Sequence, residues 1–382
     1  MYKKMIILFI LFVFTFTIIS GNNIYAESFE LKSKSAILMD AATGKILFEK
    51  DIHKELPPAS VTKVMTMLLI MEAIDSGQIK LTDKVVTSQH AFEMGGTQIY
   101  LEVGEEMSVI DLLKSIAMNS ANDASVAMAE YIAGSEEKFV ELMNKRAKEL
   151  GAKNTNFKNA SGLPEENHHT SVYDIALISR ELTKHKDIFN FLTDKIDSVR
   201  NGKFSLVNTN KLLWRYPGAD GIKTGSTSEA LYCLSATAKR GDTRLIAVVF
   251  GAPDSNIRFK EASKLLDYGF SNYETKKIAA AGEIFGKTTV LKGNENKVDA
   301  IANYDEYILL KKGQSKNIKE KIEMNKYIYA PVKKGTKIGV IKVFDGNNII
   351  KTIDLYTAKD IKKSNVFNFY KKITKSWLTI ND

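Results

Sequence analysis

At both ends of the first two-thirds of this chain, apolar residues gather in short extended runs; between them they recur at helical spacing. Residues 35–40 and 45–50 read as two strands joined by the turn Ala41-Ala42-Thr43-Gly44. Pro57 and Pro58 stop the extended chain. Residues 60–75 are then apolar nearly all round, through Val61, Val64, Met65, Leu68 and Ile70, and Gly77 ends the run. A helix with no polar face belongs at the centre of a domain. Residues 109–118 and 122–133 read as further helices, and Ser135 as the cap of another running to Leu150. Strand patterns return at 230–239 and 244–250 around a Gly241-Asp242 turn, and a helical stretch at 258–270 follows. This order implies an α+β domain, with one antiparallel sheet built from both chain ends and a helical lobe inserted between them.

After Lys277 the texture changes. Short β-rich runs at 288–291, 306–310, 327–330, 337–344 and 349–355, separated by Gly, Asn and Lys, predict a small all-β domain over 277–360. In the last segment, 361–382, Val366, Tyr370, Ile373, Trp377 and Ile380 fall at helical spacing, with Lys371, Lys372 and Lys375 elsewhere on the wheel. A basic amphipathic helix carrying a Trp suits a membrane surface; packing on the β domain is the alternative. At the other terminus, Lys3 and Lys4 precede an apolar run of about 15 residues, too short for a comfortable span, and Ala26 closes it. Residues 1–26 therefore read as a cleaved export signal, with an uncleaved anchor as the alternative. The large domain then covers 27–276.

Composition narrows the setting. The 382 residues, 44% of them hydrophobic, suffice for one large domain and a smaller one. Cys233 is the only cysteine, so no intramolecular disulfide can form. No Cys/His cluster has zinc-ligand spacing, so no metal and no cofactor is expected. The net charge of +9 is uneven: residues 278–382 hold 20 Lys and 11 acidic residues. On an exported protein a basic C-terminal third points to an anionic surface, or only to solubility, and not to nucleic acid.

Three short stretches carry candidate chemistry. Ser60-Val61-Thr62-Lys63 places a hydroxyl and an amine one helical turn apart on the same face. A serine nucleophile needs a base, and a lysine can serve if burial or a second cation strips its proton. Ser135 to Lys138 has the same spacing, but there a cap and a surface charge suffice. Ser60 differs in its setting, after two prolines and at the start of a buried run, where backbone N–H groups could face an oxyanion. Ser120-Ala121-Asn122 lies between two helical runs and offers a hydroxyl and an amide; alone it would be a helix cap. Lys223-Thr224-Gly225, ahead of the strand expected at Ala230, offers a cation and a hydroxyl for a carboxylate. Gly225 would let a substrate backbone come close.

In this order the three stretches resemble the penicillin-recognising serine enzymes, whose signature is S-x-x-K, S-x-N, K-T-G. The runs PPASVTKVMTM, GTQIYL, AMNSANDASVAMA, NASGL and DGIKTGST, within residues 57–227, resemble the low-molecular-mass D-alanyl-D-alanine carboxypeptidases. The resemblance implies a serine β-lactamase/penicillin-binding-like domain, then the β domain and terminal helix. It implies Ser60 as nucleophile, Lys63 as its base and Ser120 as proton carrier to the leaving D-Ala. Asn122 would hold the peptide, and Lys223 and Thr224 the terminal carboxylate. Gly225 would lie along the substrate, and the N–H groups of Ser60 and Ser226 would form the oxyanion hole. The implied partners are peptidoglycan stem peptides ending in D-Ala-D-Ala, β-lactams as covalent inhibitors, and the outer face of the bacterial cytoplasmic membrane.

Two positions depart from that family. Some relatives carry Arg where this chain has Thr209, and position 231, often Gly, is Leu231. Three other functions compete. A β-lactamase would need a water-activating glutamate in an E-x-x-L-N run, which is missing here. A D,D-endopeptidase on crosslinked wall and a penicillin sensor that acylates without turnover both remain open. His168 and His169 read as loop residues rather than members of a triad, and Cys233 as an apolar filler.

Overall fold

The computed structural model describes residues 30–365. The expected export signal at 1–26 and the amphipathic pattern from Val366 onward lie outside the described residues.

The sheet joins the two ends of the large domain. Strand β1 (Ser35–Asp40) pairs antiparallel with β2 (Ile46–Lys50) on one side and β5 (Thr243–Ala252) on the other, so that Ile37 faces Val248. The order is β2-β1-β5-β4-β3, with β3 (Ala219–Thr227) at the edge and β4 (Leu231–Arg240) inside it. Strands β1 and β5 read as unbroken apolar runs because both faces of the sheet are covered. Ile37, Met39, Ile246 and Val248 belong to the core shared with the helical lobe. Leu38 and Leu245, pointing the other way, lie under Gly269 of helix α5 (Ser255–Asn272). Lys223-Thr224-Gly225 precedes the strand expected at Ala230, which is β4, and itself lies within a further strand, β3. Two glycines and five polar residues among the nine of β3 hide the alternation that marks a strand.

The lobe holds the apolar run at 60–75, but as two elements. A 3-10 turn over Ala59–Thr62 leads into helix α1 (Lys63–Asp75). The helix expected at 109–118 also divides: an α segment, Val109–Lys114, passes into a π turn over Ser115–Asn119. That turn ends at Ser120 in the left-handed conformation, φ 66°. Helices α2 (Asn122–Ala133), α3 (Glu136–Glu149) and α4 (Val172–Leu182) complete the lobe. The Ser135 hydroxyl accepts the Lys138 N–H at 3.3 Å, so the second S-x-x-K is a helix cap.

Beyond α5 the chain is almost all strand. A six-stranded sheet closes on Val290, Val298, Ile338, Ile341, Val343 and Leu355. The five expected strands are present. Three more, Tyr273–Ala279, Lys297–Ile301 and Ile318–Met324, escape a reading by apolar runs because charged residues occupy their exposed positions. The strand Tyr273–Ala279 pairs with Glu306–Lys311, and the expected division after residue 276 falls inside it.

Candidate active site

The strand order places β3 against the turn that carries Ser60. A Cβ on Gly225 would lie 2.9 Å from Pro58 O, Ser60 N and Val61 N. Glycine is required there by the protein's own turn, a nearer constraint than the substrate approach expected for it. On the other side, a Cβ on Gly162, whose φ is 85°, would lie 1.9 Å from Ala59 O. The turn that carries Ser60 is thus clamped between a strand and a loop at two positions where only glycine fits.

Lys63, on the first turn of α1, has no exposed surface. Its Nζ donates to Ser60 Oγ at 3.2 Å, Asn122 Oδ1 at 2.6 Å and the Ser161 carbonyl at 2.6 Å. Burial holds its pKa well below the usual lysine range, the Lys223 charge lowers it further, and Asp123 opposes both. Lys223, on β3, is 1% exposed and donates to the Thr224 carbonyl at 3.1 Å. Burial first, and the Arg258 charge second, lower its pKa to about 7. Lys223 therefore sits where little free energy separates the charged form from the neutral one at neutral pH, and Lys63 is shifted toward its neutral form.

Of the remaining predicted residues, Asn122 contacts Lys63 and Thr224 contacts Lys223. Asn122 is fixed by its amide, which donates to Gly95 O at 2.7 Å, and by its backbone N–H, which donates to Thr97 O at 2.7 Å. Ser120 is buried, and its Oγ has no hydrogen-bond partner among the described residues. A buried hydroxyl left unpaired is costly unless a ligand or water completes it. Thr224 Oγ1 lies 2.7 Å from Thr209 Oγ1, so a hydroxyl stands where some relatives have Arg. Ser226 is exposed on the open edge of the sheet.

Several contributors were not read from the sequence. Arg258 lies behind β3, donating to Gly225 O at 3.0 Å and Cys233 O at 3.2 Å. Its signal was a cation on the buried stripe of α5, in line with Ala262 and Leu265. The Ser161 carbonyl had no signal beyond its place in the NASGL run. His168 accepts the Lys158 N–H on Nδ1 at 3.2 Å, so Nε2 donates to Thr62 Oγ1 at 2.9 Å. Burial lowers its pKa to about 4, which keeps it neutral. It braces the turn that carries Ser60 through Thr62. Leu231 adopts φ 56°, a left-handed conformation that costs a leucine about 1–2 kcal/mol and a glycine little. Cys233 is fully buried, as expected of a filler.

Comparison with known proteins gives the family and the fold. Residues 22–254 match the family model described as D-alanyl-D-alanine carboxypeptidase, and residues 273–363 match the penicillin-binding protein 5 C-terminal domain. The chain is 47% identical over 350 residues to D-alanyl-D-alanine carboxypeptidase DacF of Bacillus subtilis, covering 91% of this chain and 90% of that one. It is 35% identical over 349 residues to DacC of Escherichia coli, covering 89% and 87%. Penicillin-binding protein 5 from Haemophilus influenzae superposes with a TM-score of 0.73 at 33% identity, over 87% of this chain and 98% of that one. The ampicillin-bound penicillin-binding protein D2 of Listeria monocytogenes superposes with a TM-score of 0.58 at 32% identity, over 63% and 98%.

Proposed function

The chain belongs to the D-alanyl-D-alanine carboxypeptidase family, and from that premise we propose that Ser60 is its nucleophile and Lys63 the base that activates it. The protein is a serine-type carboxypeptidase that removes the terminal D-Ala from peptidoglycan stem peptides ending in D-Ala-D-Ala. The observation that carries the residue assignment is the buried Lys63 Nζ, 3.2 Å from Ser60 Oγ and held by Asn122 and Ser161.

The substrate lies along the open edge of β3, with its terminal carboxylate at Lys223 and Thr224. Neutral Lys63 takes the Ser60 proton as Oγ bonds to the carbonyl carbon of the penultimate D-Ala. The N–H groups of Ser60 and Ser226 receive the oxyanion. The C–N bond then breaks. The proton passes from Lys63 through Ser120 to the leaving nitrogen, and D-Ala departs. Water attacks the acyl carbon and gives its proton to Lys63; the ester bond breaks and Ser60 recovers its proton. The unpaired Ser120 hydroxyl supports this route, because a bound peptide would complete its hydrogen bonding. A β-lactam acylates the same serine.

The test is direct. Mature protein is incubated with a peptide ending in D-Ala-D-Ala, and released D-Ala is counted per enzyme. Many turnovers are expected, none from Ser60→Ala, and fluorescent penicillin should fail to label that variant. Labelling that persists would place the nucleophile elsewhere.

The same proposal extends to location. A signal-like segment at 1–26 and the basic amphipathic pattern in 361–382 support export and attachment to the outer face of the cytoplasmic membrane. Deleting residues 366–382 should move the protein from the membrane to the soluble fraction. An unchanged distribution would defeat the anchor.

A further inference from the structure

One end of the β-rich part points away from the catalytic part. Strand Asn348–Thr357 begins beside the catalytic part, where Ile350 and Lys351 share a cavity wall with Ala42 and Arg180. Its 10 residues, at about 3.3 Å each, carry the chain about 30 Å toward the far end. There three loops are tied together. Ser364 N–H donates to Lys292 O at 2.8 Å, Asn294 N–H to Lys362 O at 2.9 Å and Ile361 N–H to Val332 O at 2.7 Å.

This end carries an aromatic patch ringed by cations. The edge strand Tyr327–Tyr329 turns Ile328 onto the core of the sheet and leaves Tyr327 and Tyr329 51% and 58% exposed, their rings 5.8 Å apart and edge to face. Leu291, opposite Tyr329 on the neighbouring strand, is exposed too, and Lys292 Nζ lies 5.7 Å from the Tyr329 ring. Lys333, Lys334, Lys362 and Lys363 are exposed around them, and no salt bridge among the described residues includes any of these five lysines. The acids of this end are already engaged: Glu295 pairs with Lys359 at 2.6 Å, and Asp360 accepts the Lys334 backbone N–H at 2.7 Å.

Tyrosine favours the headgroup level of a bilayer, and lysine is drawn to anionic lipid. Where the chain goes next names the occupant. Ser364, bonded to Lys292, is followed by Asn365 and then by residues 366–382, which carry the apolar and basic pattern read as an anchor. Resting on that anchor reading, we infer that this end of the β-rich part is itself a docking surface for a bilayer containing anionic phospholipid. Tyr327, Tyr329 and Leu291 meet the headgroup layer, and the lysines meet the phosphates. A second contact beside the tether sets the tilt of the protein on the bilayer.

The experiment puts an environment-sensitive nitrobenzoxadiazole dye on the full-length mature protein through one new cysteine; Cys233 is fully buried and stays unlabelled. Leu291→Cys carries the dye on the patch, and Ile349→Cys, 52% exposed at the end nearer the catalytic part, is the control. On vesicles of phosphatidylglycerol and phosphatidylethanolamine, the dye at 291 should brighten and shift to the blue, and the dye at 349 should not change. Adding Tyr327→Ser, Tyr329→Ser, Lys292→Gln and Lys363→Gln should abolish that shift and weaken partition onto the vesicles about tenfold. If the protein sediments with vesicles while the dye at 291 stays silent, or if both dyes respond alike, the docking surface is wrong and the anchor stands. Protein that sediments with no vesicle would defeat the anchor, and the docking surface with it. A shift at 291 given by soluble poly(glycerol phosphate) and not by vesicles would make the partner a wall polymer and overturn the bilayer assignment.

Discussion

Lysine does opposite work in the two parts of this molecule. In the catalytic part, Lys63 and Lys223 are 0% and 1% exposed, and no salt bridge among the described residues includes either. In the β-rich part, the side chains of Lys337, Lys342, Lys351 and Lys359 are 31–55% exposed, each 2.6 Å from a carboxylate. The first pair sits in a core that disfavours the ammonium and shifts both amines toward their neutral forms. The second set lies at the surface beside carboxylates and keeps a sheet soluble, with little stability at stake. Burial, not residue type, separates the base proposed at Lys63 from a solubilising charge.

Four measurements test that contrast. The largest effect should come from Lys63→Ala, which should slow acylation by penicillin about 10³-fold or more, read by stopped-flow labelling. A comparable loss in Lys342→Ala would erase the distinction. Next is Gly225→Ala. Its new Cβ would press on the Ser60 turn at 2.9 Å, and acylation should fall about 10²-fold with the fold retained by circular dichroism. Normal acylation would mean the turn has room to yield.

The third measurement concerns pH. Folded Lys223 titrates at about 7, and an unfolded lysine near about 10.4. Between those values the unfolded chain binds the extra proton, so stability rises with pH through that window and falls as pH drops toward 7. Lys223→Met should reduce this slope by up to about 1.4 kcal/mol per pH unit in urea unfolding. A slope unchanged from wild type would mean that Lys223 stays charged. The smallest effect is that of Lys342→Met, which should change stability by about 0.5 kcal/mol or less and leave D-Ala release intact.

Much of this architecture was legible in local patterns. The helix at 122–133 and the Ser135 cap follow from spacing and capping chemistry, which act within one turn. Strand β3 was not legible as a strand, because glycine and polar residues break its alternation while its neighbours supply the burial. The π turn before Ser120 was missed for a related reason. Its carbonyls take the Ser120 and Ala121 N–H groups at Ser115 and the Thr209 N–H at Met118, and Thr209 comes from far along the chain.

The sequence by itself determined that a serine and a lysine share one turn, because positions three apart in a helical segment must face together. It also determined that strands from both chain ends form one sheet, because their apolar runs have nowhere else to be buried. Only the tertiary structure decided that Asn122 and the Ser161 carbonyl hold that lysine, and that Arg258 and His168 stand behind the cleft. Those partners lie tens to hundreds of positions apart. Their meeting, and the desolvation it imposes on the amine, are properties of the packed chain as a whole.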